Sequence, residues 1–149
     1  MSIRLSVDEA WERLRTGHTG ILTTLRRDGM PVALPLWYVA LDRAIYFAAP
    51  SATTKVKRIR HDGRASFLIE RGLYWSELTA IHLTGICSFV ENETLVQRID
   101  EALDAKYSAF RTSPKELPAS ARNRYADRTF VKFAPHERIL SWDNARMGK

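Results

Sequence analysis

Two turn signals set close together restrict this chain more than any other feature. Arg27-Asp28-Gly29 separates an apolar, β-branched run over residues 20–26 from a second run over 32–40, and Asp42-Arg43 separates that run from a third over 44–48. Short runs joined by two- or three-residue turns can pair only antiparallel, because a parallel connection needs a dozen or more residues. The spacing therefore predicts a three-strand meander. Pro35 denies the middle strand one ladder donor and predicts an edge or a bulge there.

The rest of the chain extends the pattern. Ser6 and Glu9 have capping-box spacing, and Val7, Ala10, Trp11 and Leu14 recur at helical period, which predicts a first helix over Val7–Thr16. A short helix is expected over 54–60 with Val56 and Ile59 inward, then strands over 65–70 and 79–90, with a bend at Gly85. Asn92 caps a long helix whose stripe is Leu95, Val96, Ile99, Leu103, Tyr107 and Phe110. Residues 111–123 hold two prolines and read as a loop, followed by strands over 128–134 and 139–142. One α+β domain over residues 1–149 is expected, mainly antiparallel β and barrel-like with flanking helices. The lack of alternating β-α-β units argues against a dinucleotide-binding parallel sheet.

Composition narrows the class. With 149 residues and 45% apolar content the chain can bury a core. No apolar run is long enough for a membrane helix, and Arg4 and Asp8 interrupt any leader-like stretch, so a cytoplasmic protein is the expectation. The single cysteine, Cys87, excludes an internal disulfide and reads as a buried small hydrophobe. His18, His61, His82 and His136 are scattered, so no metal site and no conventional catalytic set is expected.

The net charge of +6 points to anionic partners, and much of it is local: Lys55, Lys57, Arg58, Arg60 and Arg64 face only Asp62 in one ten-residue window. A strand end, a small polar loop and a helix start bearing lysines is how a phosphate site is built. The free amides and hydroxyls of Ser51, Thr53 and Thr54 supply donors, and Lys55 and Lys57 supply charge. A solvated basic face is the competing reading, and a nucleic-acid patch a lesser one. Leu36-Trp37-Tyr38 and Tyr74-Trp75 offer flat apolar walls, although alternation puts Trp37 on one sheet face and Leu36 and Tyr38 on the other.

Taken in order, Gly20-Ile-Leu-Thr-Thr-Leu, Asp28-Gly29, Pro35-Leu-Trp-Tyr, Ala44-Ile-Tyr-Phe and Thr54-Lys-Val-Lys-Arg-Ile-Arg-His-Asp-Gly-Arg-Ala-Ser resemble the pyridoxamine-phosphate-oxidase-like superfamily of flavin- and deazaflavin-binding split β-barrels. The resemblance runs nearly end to end and includes Gly85 and Lys106-Tyr107. It implies a homodimer with two cofactors at the subunit interface, the phosphate at Ser51, Thr54, Lys55 and Lys57, and Leu36, Trp37 and Tyr38 along the ring system. Trp75 and Trp142 would be offered by the partner subunit. FMN is placed ahead of the deazaflavin coenzyme F-420, and hydride exchange with a small organic substrate is the implied reaction. A non-catalytic binder of flavin, deazaflavin or haem is the alternative. The arginine–histidine pair with which true pyridoxamine-phosphate oxidases hold substrate is replaced by Arg138-Ile-Leu-Ser-Trp142, so synthesis of pyridoxal phosphate is not expected.

Overall fold

The computed structural model describes residues 2–148, the side chains of residues 124 and 125 excepted. Helix α1 (Val7–Thr16) starts as its capping box dictates: the Glu9 amide donates to the Ser6 hydroxyl, and the Ser6 amide to the Glu9 carboxylate. Strands β1 (Gly20–Leu25) and β2 (Pro31–Leu36) form the expected hairpin, closed by Gly29 at φ 84°. Next come β3 (Val39–Leu41), β4 (Ala44–Pro50), α2 (Thr54–His61), β5 (Arg64–Arg71) and β6 (Thr79–Phe89). Helices α3 (Glu93–Tyr107) and α4 (Ala119–Ala126) lead into the long β7 (Arg128–Asp143).

All seven strands lie in one antiparallel sheet of order β2-β1-β5-β6-β7-β4-β3. The sheet curls so far that its two end strands are joined by only Trp37 and Tyr38, which is a split-barrel α+β fold. As an end strand β2 tolerates Pro31 and Pro35, whose missing donors would cost ladder bonds in the middle of a sheet.

Three expectations are corrected. The meander is absent, because the run read as one strand is cut at Trp37–Tyr38 and its halves serve opposite ends of the sheet. Side chains of α3 replace the ladder there: the Tyr38 amide donates to the Tyr107 hydroxyl (3.0 Å), and the Tyr38 carbonyl accepts from Lys106 Nζ (2.9 Å). The expected loop over 111–123 gives way at its end to α4. Finally, the two C-terminal strands are one, which follows β6 through an irregularity at Gly85 opposite Pro135. At Gly85 a Cβ would collide with the Ala134 carbonyl and approach the Pro135 Cα to 2.8 Å, so the two backbones meet only because the position is glycine.

Alternation along β4 and β7 builds two cores. Ile45, Phe47, Val131 and Phe133 point into the barrel with Leu22, Phe67 and Leu83. Ala44, Tyr46 and Phe130 point outward and are covered by Ile99, Leu103 and Tyr107 of α3. Phe110, read as the end of that stripe, lies beyond α3 and is 62% exposed. Cys87 is buried, and burial pushes its thiol up to about 12, far from the reactive range.

Candidate functional site

The N-terminus of α2 is built by Thr53, whose hydroxyl accepts from the Val56 amide and whose carbonyl accepts from Lys57, while the amides of Thr54 and Lys55 have no partner within the helix. Val56 and Ile59 anchor the helix to the core. The basic side chains therefore fan out over different faces. Lys57 and Arg60 are exposed, and Arg58 is half-buried with Nε donating to the Thr24 hydroxyl at 2.8 Å. Lys55 is half-buried on another side, where burial first and the charge of Arg58 second lower its pKa. Arg64 is held by Asp62.

Packing of α2 on the β1–β2 hairpin adds charge from far along the chain. A groove of about 680 Å³ is lined by Leu25, Arg26 and Arg27 on the hairpin and by Thr54, Lys57, Arg58, Arg60 and His61 on the helix. Among the described residues no carboxylate lines it, although Asp28 pairs with Arg26 nearby. Sequence reasoning misses Arg26 and Arg27, because about thirty residues separate them from the helix. Ser51 and Lys55 do not line this groove. The Ser51 hydroxyl is committed to Thr129 (2.8 Å) and the Asp127 carboxylate (3.0 Å), tying β4 to β7.

From the groove, the outer face of the hairpin leads away through Leu25, Thr23 and Ile21 on β1, paired with Pro31, Ala33 and Pro35 on β2. Four residues of strand cover about 13 Å. At the far end lies a pocket of about 460 Å³, between the end of α1, the start of β1, the end of β5 and the start of β6. Ile21, Pro35, Leu68, Ile69 and Ile81 are among its walls, with Arg13, Thr19, Glu70 and His18 among its polar groups. Arg13 is neutralised by Asp143 at 2.8 Å and also donates to the Thr79 hydroxyl. In turn it holds the Asp143 carboxyl below the usual range.

The aromatic run divides as alternation requires. Tyr38 is wholly buried and its hydroxyl donates to the Leu14 carbonyl, so its ring belongs to the core and is closed to a ligand. Leu36 is half-buried against the same core. Trp37 is partly exposed and stacks on Tyr107 at 4.5 Å with planes 1° apart. Trp75 is 68% exposed on a turn that also presents Leu73 and Tyr74, a turn held by the Asn144 amide donating to the Trp75 carbonyl. Trp142 is half-buried on β7 opposite Ala80. Neither tryptophan lines the groove or the pocket.

Lys106 is the most perturbed cation beside this bend. Its amine lies 4.0 Å from the Tyr38 ring centre, and burial first, Arg15 second, bring it down to about 8. An unfolded lysine titrates near 10.5, so between these values the unfolded chain holds the extra proton and stability rises with pH. Burial raises the Cys87 thiol and the Tyr38 and Tyr107 phenols, so stability falls again once the unfolded thiol ionises above about pH 9 and unfolded tyrosines above about pH 10. Denaturation midpoints between pH 7.5 and 11 are expected to peak near pH 9, with a rise of about 0.5 kcal/mol after allowing for partial exposure of the amine. Lys106→Met is expected to remove most of that rise and leave the part owed to Lys55.

Among the described residues no group of histidine, cysteine and carboxylate side chains is placed to hold a metal, and no helix is long and apolar enough to cross a membrane. The curled seven-strand sheet, with a basic groove and an apolar pocket at opposite ends of its first hairpin, defines a split-barrel protein. A family profile for pyridoxamine 5'-phosphate oxidase matches residues 6–141, and the chain belongs to that family. A search of curated proteins returns no match. Among solved structures, the conserved hypothetical protein Rv2991 of Mycobacterium tuberculosis superposes with a TM-score of 0.83 at 25% identity, over 99% of this chain and 91% of that one. A FAD-binding protein of Mesorhizobium loti gives 0.72 at 18% identity, over 92% and 94% of the two chains. An F420 reductase gives 0.65 at 19% identity, over 87% and 94%.

Proposed function

We propose that the chain binds a flavin-type cofactor along the outer face of its β1–β2 hairpin and acts as an oxidoreductase on a small organic molecule. The observation that carries this is the arrangement on one exposed strand pair: a basic groove with no carboxylate among its described lining residues at one end, a mainly apolar pocket at the other, and about 13 Å of strand between them. That span suits a planar ring on a phosphate-bearing arm. Thr54 and Lys57 would hold the phosphate, with the free amides of α2 and with Lys55 at its edge. The exposed backbone from Ala33 to Leu36 would lie against the ring, with Trp37 at its end. Ser51 enters only by supporting the loop, and Tyr38 only by fixing the bend. A bound cofactor of this type carries a hydride, so the chain's own task is to position it and exclude water. FMN is placed ahead of the deazaflavin. Both relatives described as FAD-binding or F420 reductase share the fold.

The working unit is proposed to be a homodimer. In register across the outer face run Pro35, Ile21, Leu68, His82 and Leu140. Leu140 and Ile86 leave large apolar surface exposed there. A second copy on this face would bring Trp75 or Trp142 of the partner subunit towards the ring. The arginine–histidine pair of true pyridoxamine-phosphate oxidases is not evident near the C-terminus, where the stretch is Arg138-Ile-Leu-Ser-Trp142, so pyridoxamine phosphate is not the proposed substrate. Titration of the purified chain with FMN and, separately, with the deazaflavin coenzyme, followed by fluorescence, is expected to show saturable binding of one. Binding of neither would end this reading.

A further inference from the structure

His18 is the only imidazole among the described residues lining the apolar pocket, and it is held there. Its ring is exposed yet packed edge-on against three others: Phe110 at 4.7 Å, Tyr107 at 5.3 Å and Trp37 at 5.7 Å. Tyr107 fixes the backbone as well, donating its hydroxyl to the His18 carbonyl at 2.7 Å. An exposed side chain ordinarily samples several rotamers; three neighbouring rings restrict this one. The pocket shares Ile21 and Pro35 with the strand pair proposed to carry the cofactor ring, so a molecule in it lies at the ring's end.

We infer that the pocket takes an apolar small molecule whose one hydrogen-bond acceptor is conjugated to the carbon that is reduced, and that His18 supplies the proton of the reaction. The inference rests on the proposed function. Aliphatic side chains supply much of the lining, Arg13 is neutralised by Asp143, and Glu70 offsets Arg71, so the charged side chains of the lining leave no net positive charge for an anionic substrate. In the step, the substrate's β-carbon gains a hydride and a new C–H bond, and the reduced cofactor is oxidised by two electrons. The C=C pair becomes a double bond between the α-carbon and the carbonyl carbon, and the C=O π pair moves onto the carbonyl oxygen. An N–H bond of the protonated ring breaks as its proton passes to that oxygen, giving an enol that tautomerises in water to the saturated ketone, and a solvent proton restores the ring. The charged groups around His18 are Arg13 on α1, Glu70 and Arg71 on β5, and Lys106 on α3 beside Tyr107.

The test uses the full chain loaded with whichever cofactor it binds, and 2-cyclohexen-1-one as probe. Histidine ring signals are followed by NMR, with His18 assigned by its loss in His18→Gln. The His18 signals are expected to shift when the probe is added to the oxidised, loaded protein. In the reduced protein, oxidation by the probe is expected to slow with rising pH. His18→Gln should lower that rate by about 100-fold and abolish its pH dependence. Oxidation by ferricyanide, which takes electrons without a proton, should change less than about twofold in the same variant. His18 signals that ignore the probe, an unchanged rate in His18→Gln, or equal slowing with both oxidants would each overturn the inference. A chain that takes up neither cofactor shows itself before the probe is added, and overturns the proposed function and this inference together.

Discussion

Tyr107→Ala is expected to destabilise the chain by about 3–5 kcal/mol, the range for emptying a fully buried aromatic site. Tyr107→Phe, which keeps the ring, should cost about 1–3 kcal/mol. The ring belongs to the outer core under β4 and stacks on Trp37, so alanine leaves a cavity between two packed layers. The hydroxyl does a separate job. It accepts from the Tyr38 amide at 3.0 Å and lies within donating distance of both the His18 carbonyl, 2.7 Å, and the Tyr38 carbonyl, 2.9 Å. Removing it leaves a buried amide unpaired at the bend where β2 becomes β3. Urea midpoints with unchanged slope would measure both costs. A phenylalanine variant as stable as the parent would show that water takes over the bend, and that the Tyr107 hydroxyl is not what holds the strand broken there.

The second large effect is expected on binding. Lys57→Glu should weaken the cofactor by about 30-fold or more, because a charged hydrogen bond to phosphate contributes about 1.5–3 kcal/mol and the new carboxylate repels the same group. Lys57 is exposed, so the fold should survive, as thermal unfolding of the variant can confirm. Lys55→Ala is the informative companion. Its amine is half-buried beside Arg58, where burial first and like charge second already disfavour protonation, and an arriving phosphate would offset both with its opposite charge. With each lysine changed to alanine in turn, a loss in Lys57→Ala larger than in Lys55→Ala places the phosphate in the groove with Arg26 and Arg27. The reverse order moves it to the other side of α2, and unchanged affinity in both moves it off the helix altogether.

Much of this site is only half-legible in the sequence. The loop-to-helix phosphate pattern at 51–57 can be read directly, because capping and first-turn amides are set by neighbours in sequence. That Lys55 and Lys57 diverge also follows from helical pitch, which turns two residues apart by about 200°. Arg26 and Arg27 cannot be assigned to the same groove, since only the packing of α2 against β1 brings them there. His18 carries no signal at all: a lone histidine after a helix gains its place only from three rings on α3, the bend and the turn beyond α3.

The elements themselves were decided locally. Ser6 with Glu9, Asn92 with its apolar stripe, and Asp28-Gly29 between β-branched runs each act over a few residues, and each produced the expected helix or hairpin. Strand order was not decided that way. The run over 32–40 has the composition of one continuous strand, and nothing within it shows that Tyr38 gives its amide and carbonyl to α3, some seventy residues later in the chain. The same holds for β7, where only the contact of Gly85 with Pro135 shows how one strand passes the irregularity that composition reads as a break. Turns and caps are short-range and survive in any context. Which edges of a curled sheet meet, and therefore where a groove and a pocket open, depends on contacts that exist only once the barrel has closed.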